Sequence, residues 1–251
     1  MIEDIITVFW RDWIVLKRRL TKFILSRMVA PVLYLTAFGW GLGRSITVDS
    51  GSYLDFLVPG ILALNSMNIA FNSITPVHAE RIYHKSLEEY ILAPIQPSAF
   101  VLGKIAAAVL RSLISSTLII ALALSFGATL ERLMEPSTAI IFLIVLILNS
   151  IIFAEIGFFA AMTIKTFEEM AQVNTYILLP MSFLCGTFFS TATLPSAVKF
   201  FIELLPLTHT AALLRSLTGG ADFSVGSIGL LIVFATIIFF ADLRAFIRLK
   251  D

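Results

Sequence analysis

Six long apolar stretches, separated by short charged segments that keep most Lys and Arg on one side, leave this chain little choice but a helical bundle in a bilayer. Crossing about 30 Å of hydrocarbon takes roughly 20 mostly apolar residues in a helix. Every backbone amide inside such a segment has to be hydrogen-bonded within it. Spans are predicted near 23–43, 55–77, 105–127, 137–163, 173–194 and 226–246. Composition agrees: 58% of the 251 residues are hydrophobic, Phe occurs 22 times and the mean hydropathy is +0.94, more apolar surface than water tolerates. The expected fold class is all-α, a polytopic membrane protein. The first apolar run follows Lys17, Arg18, Arg19 and Lys22 and lacks a small-residue cleavage site, so it reads as a retained helix and not a signal peptide.

Cations set the orientation, because Lys and Arg in short loops stay in the cytoplasm. Arg11, Lys17, Arg18, Arg19, Lys22, Arg27, Arg81, Lys85, Lys104, Lys165, Arg244, Arg248 and Lys250 fall on one side, against Arg44, Arg132, Lys199 and Arg215 on the other. Both termini are therefore expected on the cytoplasmic side of the membrane. A net charge of +1 gives no reason to expect nucleic acid as a partner. Cys185, the sole cysteine, excludes a disulfide framework or a thiolate metal site within one chain.

Residues 1–22 form a first unit, predicted as an amphipathic helix. Ile2, Ile5, Phe9, Trp13, Leu16 and Leu20 recur at helical spacing, with Asp4, Arg11, Lys17 and Arg18 opposite. Such a helix lies in the membrane interface, or is a plain extension of the first span. Residues 23–251 form the six-helix domain. Within it, 80–92 reads as a helix with Ile82, Tyr83, Leu87, Tyr90 and Ile91 on one side and Glu80, His84, Lys85, Glu88 and Glu89 toward water, ended by Pro94 and Pro97. It has the shape of a docking helix. A helix resting passively on headgroups is the alternative, but adjacent Glu residues suit a protein partner better than an anionic leaflet. On the opposite side, 190–224, with the hairpin 195–217 inside it, contains two apolar runs too short to span, punctuated by Pro195, Pro206, Thr208 and the Gly219–Gly220 pair. That pattern predicts a re-entrant or interfacial hairpin capping the outer end of a pathway.

Polar residues within spans are informative because an ionisable group there costs about 2.5–3.5 kcal/mol on insertion scales. Arg111 and Glu155 fall at matching depth in spans three and four, which predicts an intramembrane ion pair locking two helices. Asn65, Asn68 and Asn72 give span two a polar face. Buried amides of this kind either bond helices together or line a route for partly polar cargo. Span five adds Tyr176, Met181, Phe183 and Phe188 as candidate cargo contacts, although such residues also fill ordinary bundles. Gly39-x-x-x-Gly43 in span one permits close helix approach.

No nucleotide-binding loop or His-Glu-x-x-His helix occurs, and His78, His84 and His209 are split across the membrane. Catalytic, cofactor and metal residues are therefore expected to be absent from this chain, and any energy source lies elsewhere.

Three stretches together resemble one family. They are the amphipathic start from Phe9-Trp10 to Leu20, the loop from Glu80-Arg81 through Leu87-Glu88-Glu89-Tyr90-Ile91-Leu92-Ala93-Pro94 to Gly103-Lys104, and Leu205-Pro206-Leu207-Thr208-His209 with Leu214-Arg215 before Gly219. The chain resembles the permease subunits of type-2 ABC exporters, which move drugs, glycolipids and lipid-linked polysaccharides outward. The resemblance implies that 80–92, with Glu80, Arg81, Leu87, Glu88, Glu89 and Tyr90, is a coupling helix seated in a separate P-loop ATPase carrying ATP and Mg. It implies two copies of this chain and two ATPases around one pore, spans one, two and five near the dimer axis, and an outer gate made from Pro206, Thr208, His209 and Arg215. The sequence leaves two other readings open: an ion-coupled secondary transporter centred on Glu155, and an assembly subunit that transports nothing.

Overall fold

The computed structural model describes residues 1–42, 47–48, 51–189, 195–221 and 224–250. Helix α1 (Ile2–Arg18) has Glu3 and Asp4 in its first turn and Lys17 and Arg18 in its last, the order that complements a helix dipole. The chain breaks at Arg19, three residues earlier than expected, and continues as α2 (Leu20–Tyr34), which passes into a π-helical stretch (Leu35–Leu42). A two-residue antiparallel pairing of Thr47–Val48 with Gly51–Ser52 leads into α3 (Tyr53–Ile82). The short α4 (Leu87–Leu92) precedes α5 (Pro97–Ser125), and a single 3-10 turn (Glu131–Met134) precedes α6 (Pro136–Thr163). Pro97 and Pro136 occupy first-turn positions, where their missing N–H costs nothing. Next come α7 (Phe167–Val173), a π turn (Asn174–Leu178), α8 (Leu179–Leu184), α9 (Ser196–Glu203), α10 (Pro206–Gly219) and α11 (Val225–Lys250).

Five of these segments are long and apolar enough to cross a membrane: 20–39, α3, α5, α6 and α11. The fifth predicted span, 173–194, is not a single long helix. The described part of this crossing runs as α7, the π turn and α8, beginning at Phe167. Its ends mark the crossing: Phe167 packs on His78 and Tyr83 at one end of α3, and Tyr53 at the other end of α3 donates to the Phe188 carbonyl at 2.9 Å. α1 and the last turns of α11 lie at the Tyr83 side, called here the terminal end; the Tyr53 side is the distal end. Gly43 of the predicted Gly39-x-x-x-Gly43 contact lies outside the described residues.

α3 is the mast of the bundle. In its most apolar stretch 83% of residues are buried, against 11% for span one and 22% for α11, so the other helices wrap it. Hydrocarbon supplies no hydrophobic drive for helix association, and hydrogen bonds fix the register. Asn65 donates to Ser115 Oγ at 2.9 Å, Asn149 to Ser66 Oγ at 2.7 Å, and Ser150 to Ser112 Oγ at 2.8 Å. At the distal end α9 and α10 are bent by 93°, as a hairpin, and α10 is buried along Leu207, Ala211 and Leu214. Arg215 anchors it: Nε donates to the Phe56 carbonyl at 3.1 Å, Nη2 to the Thr187 carbonyl at 2.9 Å, and the guanidinium lies 3.9 Å from the Phe56 ring centroid.

Arg111 and Glu155 do not form the expected ion pair. Arg111 Nη1 donates to the Ser73 carbonyl at 3.1 Å, while Glu155 Oε2 is buried without a hydrogen bond and lies within electrostatic reach of Asp242 on α11. Equal depth does not fix direction around a helix. Ser112, the residue of α5 that meets α6, is rotated about 100° from Arg111, and Ser150 about 140° from Glu155. Asp242 is fully buried with neither carboxyl oxygen hydrogen-bonded.

Asp242→Leu is expected to stabilise the chain by about 1–3 kcal/mol by removing orphaned polar atoms; unfolding of the purified protein in detergent measures it, and a loss of stability would point to an unseen partner. Gly60→Ala is expected to destabilise by about 1–3 kcal/mol, because a Cβ there would sit 2.7 Å from Arg215 Nη2. The same unfolding experiment reads it, with Ala63→Gly on the same helix as a comparator for glycine content.

Candidate functional site

At the terminal end four elements are tied into one charged knot. Lys104, 3% exposed near the start of α5, donates to Asp12 Oδ1 of α1 at 3.2 Å and to Glu80 Oε2 of α3 at 3.4 Å. Arg11 reaches Glu80 Oε1 at 3.3 Å and lies 5.1 Å from the Tyr90 ring centroid on α4. Tyr90 packs in turn on Phe100 at 4.9 Å, and Phe100 stacks on Phe246 of α11 at 4.9 Å. A buried Lys is tolerable here because two carboxylates and hydrogen bonds compensate it. Gly103 allows the approach, since a Cβ there would lie 2.7 Å from Val8 Cβ. The packed side of α1 thus includes Val8 and the acidic Asp12; apolar periodicity alone does not place a carboxylate there.

The predicted helix 80–92 is two pieces. Glu80, Arg81 and Ile82 complete α3, and the chain turns through Lys85, whose φ of 51° lies in the left-handed region. Only Leu87–Leu92 forms the separate helix. The break puts the first-half residues in structural roles: Arg81 donates to the Ile164 carbonyl and Glu80 joins the knot. On α4, Leu87 is buried at 2% exposure while Glu88 and Glu89 are exposed. Tyr83, expected on the packed side, is 56% exposed despite its ring contact with Phe167.

The amides of α3 separate into two roles. Asn65 donates to Ser115 on α5, whereas Asn68 and Asn72 donate to the Leu64 and Asn68 carbonyls of their own helix and border three adjoining cavities. An open cavity of about 430 Å³ at the terminal end is bordered by Arg19, Lys22, Arg27, Ser73 and Arg111. It shares Ser26, Arg27 and Asn72 with a second of about 260 Å³, which Asn65 and Asn68 also line. That one shares Tyr34 and Asn68 with a third of about 320 Å³, bordered by Asn174, Phe183 and Phe188. Asn174 donates to Asn72 Oδ1 at 3.3 Å across the gap. Beyond it Tyr34, Phe38 and Phe183 surround Phe188 at centroid distances of 5.3, 4.9 and 5.8 Å. Tyr176 and Met181 do not border this route: Tyr176 is 71% exposed and Met181 is buried in the core. Arg27, Tyr34, Phe38 and Asn174 join the set from structure. Tyr34 and Phe38 carried a signal in their four-residue spacing, whereas Arg27 read only as a topology cation.

The four predicted gate residues also divide. Pro206 starts α10, Thr208 Oγ1 donates to the Ile202 carbonyl at 2.7 Å, and His209 Nε2 contacts the Glu203 carbonyl at 2.7 Å. These three make the bend between α9 and α10. Arg215 faces α3 instead. Among the described residues no three His, Cys, Asp or Glu side chains converge as metal ligands.

Known proteins are similar in sequence to this chain along most of its length. Residues 3–218 match the family model described as ABC-2 type transporter. Nodulation protein J of Bradyrhizobium diazoefficiens is 27% identical over 249 residues, covering 96% of this chain and 92% of that protein. Nodulation protein J of Rhizobium meliloti is 28% identical over 239 residues, covering 94% and 89%. The inner membrane transport permease YadH of Escherichia coli strain K12 is 25% identical over 209 residues, covering 78% and 80%. The matched stretch takes in the charged knot, the amide-lined route and the α9–α10 hairpin, and with it the chain belongs to the ABC-2 type transporter membrane family, as a multi-pass permease.

Proposed function

We propose that this chain is the membrane half of an ATP-driven exporter. Two copies form the pathway, each docked on a separate P-loop ATPase subunit that binds ATP and Mg, and an amphiphilic or lipid-linked cargo moves outward from the cytoplasm or inner leaflet. The terminal end is the cytoplasmic one, in accord with its Lys and Arg excess, and the membrane is a prokaryotic inner membrane, as the name of the Escherichia coli relative has it for that protein. The observation that carries this reading is the build of α4. Its Leu87 is buried against the bundle, Glu88 and Glu89 face outward, and Tyr90 is held by Arg11 and Phe100. A push on α4 therefore reaches α1, α3 and α5 together.

Closure of two ATPase subunits around nucleotide moves this knot as a block. Pro59 and Pro76 inside α3 and the π stretches of spans one and five supply places where helices bend. Bending alternates access between the basic mouth near Arg27 and the aromatic cluster near Phe188, with the α9–α10 hairpin as the outer gate. The amides of Asn68 and Asn72 hydrate or bond the polar part of the cargo, and the exposed flank of span one leaves its tail in lipid.

Purification of the tagged chain from its native membrane in mild detergent is expected to recover a P-loop ATPase at one copy per chain. Glu88→Lys combined with Glu89→Lys alters two exposed side chains, leaves insertion intact, and is expected to cut ATPase recovery and cargo export by about tenfold or more through charge mismatch. Normal recovery and export by that variant would remove the docking role.

A further inference from the structure

The 430 Å³ cavity at the terminal end has a charge pattern that folding does not account for. Arg19, Lys22, Arg27 and Arg111 all border it, and among the described residues no Asp or Glu does. Of the cations that the bundle uses structurally at this end, Arg11 and Lys104 have carboxylate oxygens at 3.2–3.4 Å and Arg81 donates to the Ile164 carbonyl. None of the four forms an ion pair among the described residues. Arg111 lies in a membrane span, spends one donor on the Ser73 carbonyl, and is within electrostatic reach of the like-charged Arg27. Asp12 is also in reach, but its carboxylate is committed to Lys104. Topology needs cations in the loops; it does not need them gathered around one cavity without counterions, inside a span in the case of Arg111.

We infer that this cavity is a binding site for the phosphate-bearing headgroup of an amphiphile. A phosphate monoester carries about −1.5 to −2 charges with three acceptor oxygens, and the planar fork of Arg matches such oxygens two at a time. Arg27 and Arg111 grip the phosphate from α2 and α5, Arg19 and Lys22 draw it in from the interface, and Asn72 and Ser73 offer neutral contacts at the inner side. The apolar tail stays in the bilayer along α2, the most exposed of the spans. Because the cavity shares Ser26, Arg27 and Asn72 with the next, amide-lined cavity, the seat adjoins the start of that route. Calling the bound amphiphile cargo rests on the exporter reading; the binding itself does not, and is measured on this chain without an ATPase.

The chain is reconstituted in phosphatidylcholine nanodiscs and titrated with lysophosphatidate, with a monoacylglycerol of the same tail and with inorganic phosphate, and bound ligand is read by native mass spectrometry. Saturable binding of lysophosphatidate is expected, with the monoacylglycerol weaker by about tenfold or more. Arg27→Gln, which breaks no hydrogen bond of the fold, is expected to weaken lysophosphatidate by about tenfold. Arg111→Gln is expected to do the same where it folds, with Arg111→Lys partly restoring binding. Lys17→Gln with Arg18→Gln, exposed cations at the end of α1 that do not line the cavity, is expected to leave affinity unchanged. Equal binding of the monoacylglycerol, equal weakening by the Lys17 and Arg18 pair, or displacement of lysophosphatidate by inorganic phosphate at the same concentration would each overturn the assignment.

Discussion

In hydrocarbon an apolar side chain gains little by leaving lipid for protein, so the arrangement of this bundle rests on a small number of polar contacts. Three hydrogen-bonded pairs, Asn65 with Ser115, Ser66 with Asn149 and Ser112 with Ser150, set the register of α3, α5 and α6. With that register fixed, the remaining polar face of α3, Asn68 and Asn72, is left on the side toward α2 and the α7–α8 crossing, where the cavities open. Asn65 thus holds α5 while bordering one cavity, and the following turns of the same helix, through Asn68 and Asn72, border that cavity and its neighbours.

The two ends of the bundle are secured by different chemistry. At the distal end a single Arg215 is satisfied by two backbone carbonyls and the face of Phe56, which ties the hairpin to α3 and to the chain beyond α8 without a carboxylate. At the terminal end Lys104 bridges two carboxylates from different helices. Carbonyl-bound anchoring is local and stiff. The network, including the Arg11 contact with Tyr90, joins four elements and passes into an aromatic stack that reaches α11, which couples α4 to the second half of α1 and the start of α5.

Much of the fold was legible because hydropathy, period and helix-breaking residues are local properties. The long spans, the short charged helix around Leu87 and the bend at Pro206 all follow from runs and interruptions read along the chain. Two boundaries were missed at interruptions: the break at Lys85 divides 80–92, and the crossing expected from 173 begins at Phe167 and passes through the π turn at Asn174–Leu178. Neither leaves a mark as plain as proline.

The sequence by itself determined that this is a polytopic helical membrane protein, which residues sit at each end, and where a short charged helix and a distal hairpin fall, since all of these depend on neighbours within one or two turns. Only the tertiary structure decided which polar group meets which. Arg111 turned to Ser73, Glu155 toward Asp242, and Lys104 to Asp12 and Glu80. The reason is geometric: depth in the membrane is readable from position along a helix, but the direction a side chain faces and the helix standing there depend on how distant segments pack around α3.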